Sequence, residues 1–113
     1  MTKWSYDQEQ RVGRLEIGEG LTIVQVGRIR ESLLQGFKDA EQLVLDLAAV
    51  AEVDLAGLQL LCSAHRFALL HDKELLVTGG NERIRSLVRE AGFVRGTLCT
   101  IGKDLPCFWA GMA

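Results

Sequence analysis

Ser63, His65 and His71, the cysteines Cys62, Cys99 and Cys107, and the Gly79-Gly80-Asn81 turn are the residues whose types could carry chemistry in this chain. A hydrolytic pair needs its nucleophile and base within hydrogen-bond reach. Ser63 and His65 stand two apart in a helical run, where their side chains diverge, and no strand-turn-helix elbow puts Ser63 at its tip. His65 falls on the apolar stripe of that run, the usual place of a core histidine with a hydrogen-bond partner. His65 and His71 are six apart and point to different faces of a helix, so they do not begin a metal site. The cysteines form no Cys-x-x-Cys pair, and an odd number leaves one over in any disulfide scheme, so reduced thiols are expected. Gly79-Gly80-Asn81 precedes a helix, as a phosphate cradle does, but the glycine and lysine context of the known nucleotide loops is absent. These residues predict no catalytic site, no metal, no cofactor and no enzyme.

Charge and size narrow the remaining classes. Thirteen Lys and Arg against fifteen Asp and Glu give a formal net charge of −2, without the basic excess that nucleic-acid binding needs. Apolar residues at 48% and charged residues at 25% are the balance of a folded domain, and 113 residues suit one domain with a real core. No apolar run is long enough to span a bilayer and the first ten residues lack a signal-peptide centre, so the expected location is the cytoplasm, without direct membrane insertion.

The elements follow from apolar periodicity. Leu15 and Ile17, the Gly18-Glu19-Gly20 turn and the β-rich run Leu21 to Val26 read as an antiparallel hairpin, with a weaker alternation through Trp4 and Tyr6 marking a short edge strand. From Ile29 through Leu33, Leu34, Phe37 and Ala40 the period becomes helical. Gln42 to Leu47 is a short, nearly continuous apolar run, as a central strand covered on both faces requires, the second cover coming from the domain or from a partner. Leu58, Leu61, Cys62, His65, Ala68 and Leu69 mark a long buried helix. Lys73 to Thr78 reads as a strand, Asn81 as a helix cap, and Ile84, Leu87, Val88 and Ala91 as the core stripe of a last helix stopped at Gly92. The predicted class is α/β, in the order β-β-α-β-α-β-α, with a mixed sheet of about four to five strands and helices mainly on one face. Phe93, Val94, Leu98, Ile101, Leu105, Phe108 and Trp109 make the tail too apolar to be left in water, so residues 96–113 are expected to pack on a core of residues 10–95.

Leu43-Val44-Leu45-Asp46-Leu47 followed by Val53-Asp54-x-x-Gly57-Leu58, then Lys73-Glu74-Leu75-Leu76-Val77 and Ile84-Arg85-Ser86-Leu87-Val88-Arg89-Glu90-Ala91-Gly92-Phe93, resemble the STAS family of bacterial anti-sigma-factor antagonists in order and spacing. The resemblance implies a protein-binding module whose loop after the aspartate carries a Ser or Thr that an anti-sigma kinase phosphorylates. Here Leu55 and Ala56 occupy that place, and neither has a hydroxyl. A second departure is Gly27-Arg28-Ile29-Arg30, where the family often has Gly-x-x-Asp.

The candidate docking loop is therefore Asp54, Leu55, Ala56, Gly57 and Leu58. Asp54 suits a helix N-cap, Gly57 a close backbone approach, and Leu55 either packs inward or projects toward a partner. Arg28, Arg30, Arg83 and Arg85 form a candidate secondary docking patch, although Glu31, Glu82 and Glu90 interleave with them as on an ordinary solvated face. The expected partner is an anti-sigma factor or a serine-kinase-like regulator, with a homodimer as a further option. The competing readings are a regulatory subunit of a membrane transport complex of the lipid-transport ATPase kind, which some STAS domains serve as, and a small nucleotide- or ligand-sensing domain using the loops after residues 26, 48 and 78.

Overall fold

A computed structural model describes residues 2–90. Trp4 and Tyr6 alternate with polar neighbours in β1 (Lys3–Asp7), which turns back into β2 (Val12–Glu16). The turn is held by Asp7, whose carboxylate accepts the backbone N–H groups of Glu9 at 3.0 Å and Gln10 at 3.3 Å, the usual service of aspartate at a reversal. There follow β3 (Gly20–Leu21), α1 (Val26–Asp39), β4 (Gln42–Asp46), β5 (Glu52–Val53), α2 (Leu55–Leu70), β6 (Glu74–Thr78) and α3 (Glu82–Glu90). The main sheet has the order β1-β2-β4-β6. β1 and β2 run antiparallel, while β2, β4 and β6 run parallel and are joined through α1 and α2. The architecture is α/β with a mixed four-stranded sheet, as the periodicities predict, and β4 is internal to it.

The hairpin lies elsewhere than expected. Its strands are β1 and β2, whereas Leu21 ends a two-residue parallel ladder with β5 and the rest of the β-rich run turns into a helix. The Thr22 carbonyl accepts Gln25 N–H and Val26 N–H, both at 3.0 Å. Gln25 returns its side-chain oxygen to Thr22 N–H at 3.2 Å and to the Thr22 hydroxyl. Local side-chain bonding of this kind overrides the strand preference of Ile23 and Val24.

Alternation in the sheet sorts its faces. Leu15, Leu43, Leu45 and Leu75 point to the helices and join Ile29, Leu33 and Phe37 of α1, Leu58, Leu61 and Ala68 of α2, and Ile84 and Val88 of α3 in one core. On the reverse face Arg14, Val44 and Leu76 share one row, and Leu76 is exposed. Among the described residues β4 is thus covered by helices on one face only, where a cover on both was expected. Its apolar reverse side comes from Val44 alone, since Gln42 and Asp46 share that side.

Asn81 caps α3 and also ties it down. Its Oδ1 accepts Ile84 N–H at 3.0 Å while its Nδ2 donates to the Val50 carbonyl at 2.9 Å. Loss of a cap costs about 1 kcal/mol and loss of a second hydrogen bond a similar amount. Asn81→Ala is expected to lose about 2 kcal/mol in urea denaturation, and Asn81→Asp, which keeps the acceptor but not the donor, to fall between. The predicted stop at Gly92 and the packing of the apolar tail lie outside the described residues. No helix among the described residues is long and apolar enough to cross a membrane.

Candidate docking surface

The loops that follow β2, β4 and β6 gather at one end of the sheet, where α1 and α2 begin. Asp54 has extended backbone geometry and caps α2, its Oδ1 accepting Gly57 N–H at 3.1 Å. Its other oxygen, Oδ2, accepts Ile23 N–H at 2.9 Å, and its own N–H donates to the Leu21 carbonyl at 3.2 Å. One carboxylate therefore fastens the start of α2 to the turn that leads into α1. Gly57 lets the two meet: a Cβ there would lie 2.0 Å from the Leu21 carbonyl oxygen, well inside contact distance.

The five loop residues divide by burial. Leu58 is fully buried in the core and Gly57 is buried against Leu21, so both support the loop from beneath. Asp54 and Ala56 are half-buried. Leu55 projects, 46% exposed, which decides between the two orientations that the sequence leaves open. Beside it, across the Asp54 bridge, stand Ile23 at 67% and Val24 at 76% exposure. Three large aliphatic side chains thus share this end of the molecule.

Ile23 and Val24 fall outside the loop that the sequence points to, because the composition of Leu21 to Val26 reads as a strand. A signal against a strand was present: Thr22-x-x-Gln25 has the Ser/Thr-x-x-Glu/Gln spacing found at helix entrances, and the Gln25 side chain accepts Thr22 N–H in the turn that precedes α1 at Val26.

The four arginines stand on separate supports. Arg28 and Arg30 are exposed on α1, which packs on α2, and Arg83 and Arg85 are exposed on α3, which packs on β5. Arg30 borders the groove between α1 and α2, as does Ser63. His71 lies against the Phe67 ring with centroids 4.2 Å apart. Among the described residues no three His, Cys, Asp or Glu side chains gather as metal ligands.

Burial lowers the pKa of His65 from its ordinary value. The unfolded chain therefore takes up this proton more readily than the folded one. The stability tied to neutral His65 is complete above about pH 6.5, the value expected in the unfolded chain, and is lost as pH falls from there toward the depressed folded-state value. The melting temperature should drop between pH 7.5 and pH 5.5, and His65→Gln should make that drop shallower. An equal drop in both proteins would remove His65 as its source.

With this geometry in view, the family model described as "Mlab, STAS domain" matches residues 4–100. No curated protein matches the chain. Among solved structures it is similar to the anti-sigma factor antagonist SpoIIAA in its unphosphorylated form, with a TM-score of 0.67, 14% identity and 81% of each chain covered. It is similar also to the Bacillus cell fate determinant SpoIIAA in the phosphorylated form, with a TM-score of 0.64, 12% identity, and 81% of this chain and 84% of that one covered. A murine Solute Carrier 26 family anion transporter matches with a TM-score of 0.67 and 14% identity over 87% of this chain and 16% of the transporter. At such identities the structural likenesses establish a shared fold.

Proposed function

The chain belongs to the STAS domain family, and from that premise we propose that it works by docking to a regulatory protein in the manner of an anti-sigma-factor antagonist, without phosphorylation of its loop. The observation that carries this reading is the exposed trio Ile23, Val24 and Leu55 at the end of the sheet, held together by the Asp54 carboxylate. Exposed aliphatic side chains at one end of the molecule have little to offer a polar substrate and much to offer an apolar partner surface. No residue between Asp54 and Gly57 carries a hydroxyl, so the loop has no acceptor for a phosphoryl group. The Thr22 hydroxyl at the same end is engaged by Gln25 and by Val24 N–H. Docking at this surface is then constitutive and is regulated by the supply of partner. The partner expected is an anti-sigma factor or serine-kinase-like regulator in the cytoplasm.

Affinity purification of the full chain from its source cell, with identification by mass spectrometry, tests the reading. Recovery of an anti-sigma kinase that forms a stable complex with the chain, and transfers no phosphate from labelled ATP to residues 54–57, is the expected result. Recovery of a transport ATPase with its permease would replace it by the transport-subunit reading, and a bound nucleotide by the sensing one.

A further inference from the structure

β6 is the last strand of the main sheet among the described residues, and its outer edge meets no other strand there. Glu74 N–H donates to the Glu41 carbonyl at 3.0 Å, and the Thr78 carbonyl accepts Leu47 N–H at 2.9 Å. Glu74, Leu76 and Thr78 therefore turn their backbone groups toward β4, and in a strand the residues between them turn theirs the other way. The N–H and C=O groups of Leu75 and Val77 point out of the free edge. Leu75 is buried and Val77 half-buried, and backbone polar groups in such places are nearly always paired. α2 overhangs this edge. It packs on β6, and the flank it turns to α1 carries Leu60, Ala64 and Phe67. Cys62, His65 and Leu69, at i, i+3 and i+7, lie on the opposite flank, and all three are half-buried. A strand beside β6 would lie beneath them.

Topology selects the segment that reaches this edge. The chain steps from β2 to β4 to β6 in one direction along the sheet, through α1 and α2, which cover one face. α3 starts at the same end as those helices, where Asn81 bonds the Val50 carbonyl, and it buries Ile84 and Val88 in the core on that same face. Strand-helix-strand crossovers are right-handed in nearly all proteins. A helix on this face thus carries the chain one more step in the same direction, to the far side of β6. Beyond α3 the sequence continues through residues 91–113, where Thr97, Leu98, Cys99, Thr100 and Ile101 make a β-rich run between Gly96 and Gly102. Its length equals that of β2, β4 and β6, five residues each, and residues 91–96 are an ordinary length for the connection.

We propose that residues 97–101 form a fifth, parallel strand of the main sheet on the free edge of β6. Alternation then gives both of its faces apolar company. Cys99 and Ile101 meet the flank of Cys62, His65 and Leu69, and Leu98 joins the reverse side that carries Val44 and Leu76. An open edge of this composition is a template for pairing with another chain, and the chain's own strand fills it. β6 then offers no edge to a partner strand or to a second copy, which leaves the loop surface as the place to dock.

Amide hydrogen exchange followed by NMR on the full chain reads the edge directly. Leu75 and Val77 N–H should exchange at least about a hundredfold more slowly than in an unstructured peptide, at rates independent of protein concentration. Successive residues of a strand turn their N–H groups to opposite sides, so one of Cys99→Pro and Thr100→Pro must remove a bond to β6. That variant should speed exchange at Leu75 and Val77 at least about tenfold relative to Glu74, Leu76 and Thr78, which are bonded to β4. Nuclear Overhauser contacts between residues 97–101 and residues 75–77 in the wild-type chain supply the same answer without a variant, and they decide the matter if both prolines unfold the protein. Fast exchange at Leu75 and Val77 in the wild type, or the absence of those contacts, would overturn the proposal. So would protection that grows with protein concentration, which would give the edge to a second copy, or protection indifferent to both prolines in folded chains.

Discussion

Gly57→Ala is expected to cost about 3 kcal/mol, at the upper end of what overpacking usually costs, and to lower the melting temperature by about 10 °C or more. In an ordinary helix the same change is favourable by up to about 1 kcal/mol, because alanine has the higher helix propensity. Here the added carbon would lie 2.0 Å from the Leu21 carbonyl oxygen and 2.6 Å from Leu21 Cγ. A backbone oxygen cannot step aside as a flexible side chain can, so α2 must retreat from β3. That retreat would pull on the Asp54 bridge and scatter the apolar trio. Gly27→Ala is the internal control: a Cβ at Gly27 meets nothing within 4 Å, and it should leave stability unchanged or raise it by a few tenths of a kcal/mol. Thermal melts by circular dichroism decide the matter, and a Gly57→Ala protein that melts with wild type would show that the α2–β3 contact does not constrain the loop.

The double variant Ile23→Asp, Leu55→Asp is expected to weaken binding of the recovered regulator by about a hundredfold, which is roughly 2.8 kcal/mol. Full burial of one aliphatic side chain at an interface is worth about 1.5–3 kcal/mol, so loss of two contacts reaches that figure even if neither is complete. The fold should survive. Both side chains are exposed, and an aspartate at position 55 sits at the first residue of α2, where the helix dipole favours negative charge. Isothermal titration beside a thermal melt gives both readouts. Undiminished affinity would show that the partner contacts another surface, and a collapsed melt would show that the trio supports the fold instead of a partner.

Element type was largely legible in the sequence because it is written in local periods. The run Leu43 to Leu47 reads as an interior strand, which it is, although helices cover one of its faces and not the two that its composition suggests; the stripes through Leu58 and Leu61 and through Ile84 and Val88 read as core-facing helices, and Asn81 as a cap from its place alone. Family resemblance is what singles out the Asp54 to Leu58 loop as the candidate docking surface, and that Leu55 and Ala56 carry no hydroxyl is read from the sequence directly. Three matters waited for the tertiary structure. Leu21 to Val26 has the composition of a strand, yet the pairing of Leu21 with Val53 and the bonding of Thr22 with Gln25 turn it into a helix start, because long-range pairing and side-chain bonds outweigh β-propensity. The direction of Leu55 was undetermined, since the first turn of a helix shows one face to solvent and one to the core, and only the seating of Gly57 on Leu21 sets which. The union of Ile23 and Val24 with Leu55 was beyond any local reading: they lie about thirty residues away in sequence, and what joins them is a single carboxylate accepting Ile23 N–H on one oxygen and Gly57 N–H on the other.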